Sequence, residues 1–176
     1  MSQTGLILSP YQGWVKRLAH RLAFLGAALT VSTAQAIEVG DRLIIDNLKT
    51  IDGKTLTRSD LTGKYLVVQV WATWCPYCHR QNMNLIELVK RNPGINLQVI
   101  ALSIDRKPAD VPPYVEKHGL NFPVAMMTPE LAAAIGKRRG LPELYVVDPS
   151  GRVVQKDFGE MIDLDVFDLA DYGKRQ

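Results

Sequence analysis

Seven consecutive residues, Tyr65-Leu66-Val67-Val68-Gln69-Val70-Trp71, constrain this chain more than any others. Most are β-branched or aromatic and only Gln69 is fully polar. A near-continuous apolar run of this length suits a strand buried on both faces near the centre of a sheet. The pattern then changes abruptly. From Pro76 the register becomes helical, with Met83, Leu85, Ile86 and Val89 recurring at offsets of three and four and Asn82 beginning a polar surface. Asn92-Pro93-Gly94 ends that helix, and 97–105 reads as a second buried strand. Strand, helix, strand in that order implies a right-handed parallel crossover. The chain's only two cysteines, Cys75 and Cys78, fall where the first strand gives way to the helix.

The flanking sequence supplies the rest of an α/β domain. A strand is expected over 43–46, with a hairpin turn at Asp52-Gly53 and a return strand over 54–57. The 59–63 segment carries turn chemistry ending in a glycine. A proline-rich loop, 107–113, opens a helix reaching about His118, with Pro113 in its first turn, and 121–124 is a short extended piece. Thr128-Pro129-Glu130 reads as an N-cap with proline at the first helical position, starting a helix through Ile135. A third strand follows over 144–148, paired back through Pro149-Ser150-Gly151 with 152–155. Helical spacing returns over 163–172, with Asp163 as its expected cap.

Charge is informative only once it is located. The first 36 residues hold Lys16, Arg17 and Arg21 and no acid, so 37–176 carries 18 basic and 18 acidic residues and is formally neutral. Nothing in that balance argues for nucleic acid. The basic residues precede an apolar stretch, Leu22 to Val31, and then Ala34-Gln35-Ala36, the pattern of a secretory signal cleaved before Ile37. The apolar core is half the roughly 20 residues that a membrane span requires; an uncleaved anchor is the alternative. The expected organisation is a signal peptide over 1–36 and one domain over 37–176, placed in the periplasm.

Export puts the cysteines in an oxidising compartment. A disulfide between residues three apart closes too short a loop to stabilise the fold appreciably, so the pair is there for its chemistry. Zinc would need two further ligands, and 37–176 offers only His79 and His118. Cys75-Pro76-Tyr77-Cys78-His79 also matches the c-type haem attachment pattern, but it sits between a buried strand and a helix inside a β-α-β unit. A thiol-disulfide centre fits that context. The helix N-terminus presents unpaired N–H groups and partial positive charge, both favouring a thiolate at Cys75. Cys75 is expected to be the exposed nucleophile, and Cys78, one turn in, the more buried resolving thiol.

The stretch Val70-Trp71-Ala72-Thr73-Trp74-Cys75-Pro76-Tyr77-Cys78 resembles the active-site segment of thioredoxin-fold proteins, and more narrowly the exported TlpA/ResA/CcmG-like branch. The resemblance runs from about Val39 to Asp157 and includes Gly140-Leu141-Pro142-Glu143. It implies a thioredoxin fold: a central mixed sheet flanked by helices, an N-terminal β-hairpin and an inserted helical segment. It further implies a cis-proline at Pro142, opposite the cysteines, and a substrate surface formed by Trp74, Pro76, Tyr77, Leu141 and Pro142. Leu141 would offer backbone groups to the substrate chain. Three positions depart from relatives. Gln69 stands where thioredoxin has a buried aspartate, so the proton acceptor must lie elsewhere, with Glu143 and Asp105 as candidates. Gln81 and Met83 replace an acid and a proline of the helix. His79 is expected at the surface.

The resemblance implies a thiol-disulfide oxidoreductase that needs no cofactor beyond the Cys75–Cys78 disulfide. Its expected partners are protein disulfides of the cytochrome c maturation or copper-site assembly type and a membrane electron donor of the DsbD/CcdA type. The protein is expected to be monomeric. An oxidase running the same chemistry backwards is one alternative. A thiol peroxidase is weaker, since Val68 and Ala72 occupy the places of its Pro-x-x-x-Thr-x-x-Cys pattern. The non-enzymatic alternatives are a client-binding module and a c-type haem protein.

Overall fold

The computed structural model describes residues 36–174; the leader read over 1–36, apart from Ala36, lies outside them. In chain order the elements are β1 (Leu48–Lys49), β2 (Thr55–Leu56), α1 (Arg58–Leu61), β3 (Tyr65–Trp71), α2 (Pro76–Arg91) and β4 (Leu97–Ser103). A 3-10 turn (Pro108–Asp110) leads into α3 (Val111–His118). Then come β5 (Val124–Met126), α4 (Pro129–Ile135), β6 (Glu143–Val147), β7 (Val153–Phe158), α5 (Asp163–Asp168) and α6 (Ala170–Lys174).

The apolar run is the middle strand of a five-stranded sheet ordered β5-β4-β3-β6-β7. β3 pairs parallel with β4 and antiparallel with β6, the mixed sheet expected from the thioredoxin fold. Successive strand side chains face opposite ways, so β3 feeds two cores. Val67 and Trp71 pack with Leu85 and Leu88 of α2, Val111 of α3 and Val166 of α5. Leu66, Val68 and Val70 pack with Leu43, Ile45 and Leu48 of the N-terminal segment and Leu131 and Ile135 of α4. Full burial of a leucine such as Leu85 or Leu88 contributes roughly 1.5–3 kcal/mol, which holds α2 against the sheet. Position 69 shares the α2 face, and its polar side chain is fully buried there.

Several expectations are corrected. The 43–46 segment is an extended, partly buried stretch outside any strand; the hairpin strand is β1, which begins after the positive-φ residue Asn47. The turn at Asp52-Gly53 stands, with Gly53 in the left-handed region (φ 85°). The 59–63 turn is a short helix: Asp60 accepts from the Thr57 N–H at 2.8 Å and starts α1. Asp163 does not cap α5, whose N-cap is Ile162; its carboxylate instead accepts from Asn84 Nδ2 at 2.7 Å and ties α5 to α2. Thr128 does cap α4, accepting from the Leu131 N–H at 3.2 Å. Among the described residues no helix is long and apolar enough to cross a membrane.

Candidate active site

Pro76 occupies the first turn of α2, where its missing N–H costs nothing, so the helix begins immediately after Cys75. Cys75 is the N-cap residue, and its Sγ accepts the Cys78 N–H at 3.1 Å. It thereby takes the place of the side-chain oxygen that usually satisfies a free N–H at a helix start. Cys75 and Cys78 are disulfide-bonded, with Cα atoms 5.2 Å apart. Cys78 is fully buried, as expected of a resolving thiol. Cys75 is not the exposed residue anticipated: only 4% of its surface is accessible. The exposed residues are its neighbours, Trp74 (66%) and Tyr77 (54%).

The turn ahead of Cys75 is held from β4. Asp105 is buried, and its carboxylate accepts the Thr73 N–H at 3.0 Å, the Thr73 hydroxyl at 2.6 Å and the Ser103 hydroxyl at 2.7 Å. Glu143 is also buried rather than solvated. It accepts the Arg139 N–H at 2.5 Å and the Tyr145 hydroxyl at 2.9 Å, fixing the loop that precedes β6. Burial first, and then the bond to Glu143 and its charge, push the Tyr145 phenol well above its ordinary value. The Leu141–Pro142 peptide bond is cis, at the position the resemblance marks. Leu141 lines one depression with Trp74, Cys75, Pro76 and Tyr77, of about 690 Å³. Neither its N–H nor its C=O is taken up by another described backbone group, which leaves both free for an incoming extended chain.

Behind the disulfide lies a polar chain that periodicity hid. Gln69 Nε2 donates to Asn82 Oδ1 at 2.5 Å, and Gln81 Nε2 donates to Gln69 Oε1 at 2.9 Å. Gln81 Oε1 in turn accepts the Met161 N–H at 2.9 Å, and Asn82 Nδ2 reaches the Tyr114 hydroxyl at 3.5 Å. All three amides are fully buried, so Asn82 does not begin a polar surface; Glu87, Lys90 and Arg91, further along α2, carry its solvent-side ion pairs. The chain ends at His79, whose Nδ1 lies 2.9 Å from the Tyr114 hydroxyl. His79 is half-buried and packs edge-on to His118, ring centroids 4.6 Å apart. Desolvation, with the neighbouring His79 and Lys117 charges, lowers the His118 pKa. The signal available in the sequence was Gln69 itself: a polar residue inside a buried strand demands buried partners.

The profile of the AhpC/TSA family matches residues 39–156, two thirds of the chain and all of the site just described except Met161. The chain belongs to the AhpC/TSA family. It is 30% identical over 110 residues to the thiol-disulfide oxidoreductase ResA of Bacillus thuringiensis strain Al Hakam, covering 62% of this chain and 64% of that protein. The match to that relative therefore spans less than two thirds of its length. It is 29% identical over 107 residues to the thiol:disulfide interchange protein DsbE of Allochromatium vinosum, covering 60% and 58%. The thioredoxin-family thiol:disulfide interchange protein of Chlorobium tepidum has the same fold, with TM-score 0.66 and 26% identity over 77% of this chain and 99% of that one.

Within this AhpC/TSA chain the structure brings Trp74, Cys75, Pro76, Tyr77 and Leu141 to one depression. Cys78 lies beneath Cys75, and Pro142 directly follows Leu141 in the cis bond. Asp105 and Glu143 flank this surface from below, each with its carboxylate already held by named donors. Three residues next to the cysteines escaped the sequence reading: Lys137, Arg138 and Arg139 line the same depression.

Proposed function

We propose that this protein is a periplasmic thiol-disulfide oxidoreductase working as a reductase of partner-protein disulfides, in cytochrome c maturation or copper-site assembly. The observation that carries the reading is Cys75 as N-cap of α2, its sulfur taking the Cys78 N–H beside the free backbone of Leu141. A sulfur so placed is stabilised as a thiolate by the helix N-terminus. The Cys75 thiolate attacks one sulfur of a partner disulfide, and the other partner sulfur leaves as a thiolate. Cys78 loses its proton and attacks Cys75 Sγ; the second partner sulfur leaves, and the Cys75–Cys78 disulfide forms. Two electrons pass from the dithiol to the partner. Asp105 and Glu143 are the candidate acceptors of the Cys78 proton.

The Cys75–Cys78 couple is the only redox group that this chemistry calls for, and a membrane donor of the DsbD/CcdA type would return it to the dithiol. The reading further places the protein in the periplasm as a monomer, released by cleavage before Ile37. The test is a Cys78→Ala variant expressed in its own compartment. Mixed disulfides on Cys75 to cytochrome c or copper-site assembly proteins, identified by mass spectrometry, are expected. Capture of none, under conditions that trap a ResA-type protein, overturns the assignment.

A further inference from the structure

The formally neutral domain does not spread its charge evenly. Two depressions meet at Cys75 and share Trp74, Cys75 and Pro76. One is lined by Lys137, Arg138 and Arg139, all exposed; the other by Arg80 and Lys117 together with the imidazoles of His79 and His118. Neither is lined by an aspartate or a glutamate.

The nearest carboxylates are already committed. Glu160 takes the Arg80 guanidinium through both oxygens, at 2.6 and 2.5 Å, and so neutralises that one cation. Asp105 and Glu143 are buried and bonded as described. Among the described residues Lys137, Arg138, Arg139 and Lys117 make no ion pair. The Arg139 guanidinium lies over the Phe158 ring at 4.6 Å, which holds it in place without cancelling its charge. Four cations without an ion-pair partner thus surround a nucleophile flanked by two exposed aromatics, Trp74 and Tyr77. A concave site lined by one sign of charge concentrates ligands of the other sign.

We propose that the substrate of this centre is a disulfide set in an acidic polypeptide segment, with Asp or Glu side chains next to the attacked cysteine. The proposal rests on the exchange reading above and supplies its substrate class. Leu141 would align the segment through its free N–H and C=O, while Lys137 and Arg138, four and three residues upstream, receive the carboxylates. The apolar parts of the segment cover Trp74 and Tyr77.

The test uses the full protein and two peptide disulfides, identical except that two residues beside one cysteine are Glu in the first and Lys in the second. With reduced protein at low ionic strength, kcat/KM for the Glu peptide is expected to exceed that for the Lys peptide by about tenfold. The ratio should fall toward one as salt shortens the Debye length below about 8 Å. It should invert in K137E/R138E, with circular dichroism confirming the fold. A wild-type ratio within twofold of one at low salt overturns the proposal.

A second arm separates this from failure of the exchange reading. Binding of the dithiol-blocked peptides to the oxidised protein, read by isothermal titration calorimetry, needs no chemistry. Tighter binding of the Glu peptide without turnover of either supports the acidic partner and removes the reductase. Turnover of both at equal rates with equal binding does the reverse. Binding of phosphatidylglycerol vesicles with no discrimination between peptides would assign the cations to a membrane surface, and overturns the proposal.

Discussion

Gln69→Leu is the sharpest perturbation of the layer behind the disulfide. The two side chains are similar in volume, so the cavity contribution is small, and the change acts on hydrogen bonding. Gln69 receives the Gln81 Nε2–H at 2.9 Å and supplies the donor for Asn82 Oδ1 at 2.5 Å. Leucine meets neither, and both groups are fully buried away from bulk solvent. Each stranded group costs about 1–3 kcal/mol, against about 1 kcal/mol gained from the more apolar side chain. The net loss is about 1–5 kcal/mol, roughly 3–17 °C in Tm for a domain of this size. Urea unfolding with the Cys75–Cys78 disulfide intact reads it. Q69L/N82L should lose less than the sum of its single variants, because it removes the stranded Asn82 oxygen along with its donor. A single-variant loss below about 0.5 kcal/mol, or strict additivity in the double, would refute the network as a stabilising unit.

Three further outcomes are expected. Gly173→Ala should destabilise by about 1–3 kcal/mol, since a Cβ there would lie 2.7 Å from Leu97 Cβ, which cannot rotate away; equilibrium unfolding checks it. Tyr145, with its pKa raised in the folded state, favours folding below the unfolded value of about 10, and that contribution is lost as pH rises beyond it. Denaturation midpoints from pH 8 to 11 should therefore fall at the alkaline end, and absorbance at 295 nm should show a late-titrating phenol; a flat midpoint contradicts this. Asp105→Asn and Glu143→Gln separate anchoring from proton transfer. The variant that removes the acceptor of the Cys78 proton should lower the resolving rate about 10²-fold and flatten its pH profile, whereas loss of an anchor alone lowers stability and leaves that profile in place.

The sheet was legible because its strands are long apolar runs: β3, β4 and β6 lie within a residue or two of where their residue types put them. The helix caps were legible where the cap is chemical, as at Thr128 and Pro129, and misleading at Asp163, whose carboxylate serves another helix. The hairpin's turn was clear from Asp52-Gly53, yet its first strand was placed too early, because the buried Leu43 and Ile45 pack under the sheet without pairing in it. At the site, Cys75, Cys78 and Pro142 could be read from spacing and resemblance. Gln81 and Asn82 could not, since a polar pair on a helix ordinarily faces water and only tertiary contact with Gln69 reverses that. Nor could the basic rim, because a count of 18 against 18 says nothing of where each sign gathers.

The central claim is that the Cys75–Cys78 pair exchanges disulfides with proteins, Cys75 attacking. Its most direct test is turnover of a protein disulfide by the reduced protein, followed as insulin precipitation, alongside Cys75→Ser and Cys78→Ala. The account predicts catalytic turnover in the wild type and none in Cys75→Ser. Cys78→Ala should stop after one equivalent as a mixed disulfide on Cys75. Absence of turnover in the wild type, or activity retained in Cys75→Ser, would contradict it.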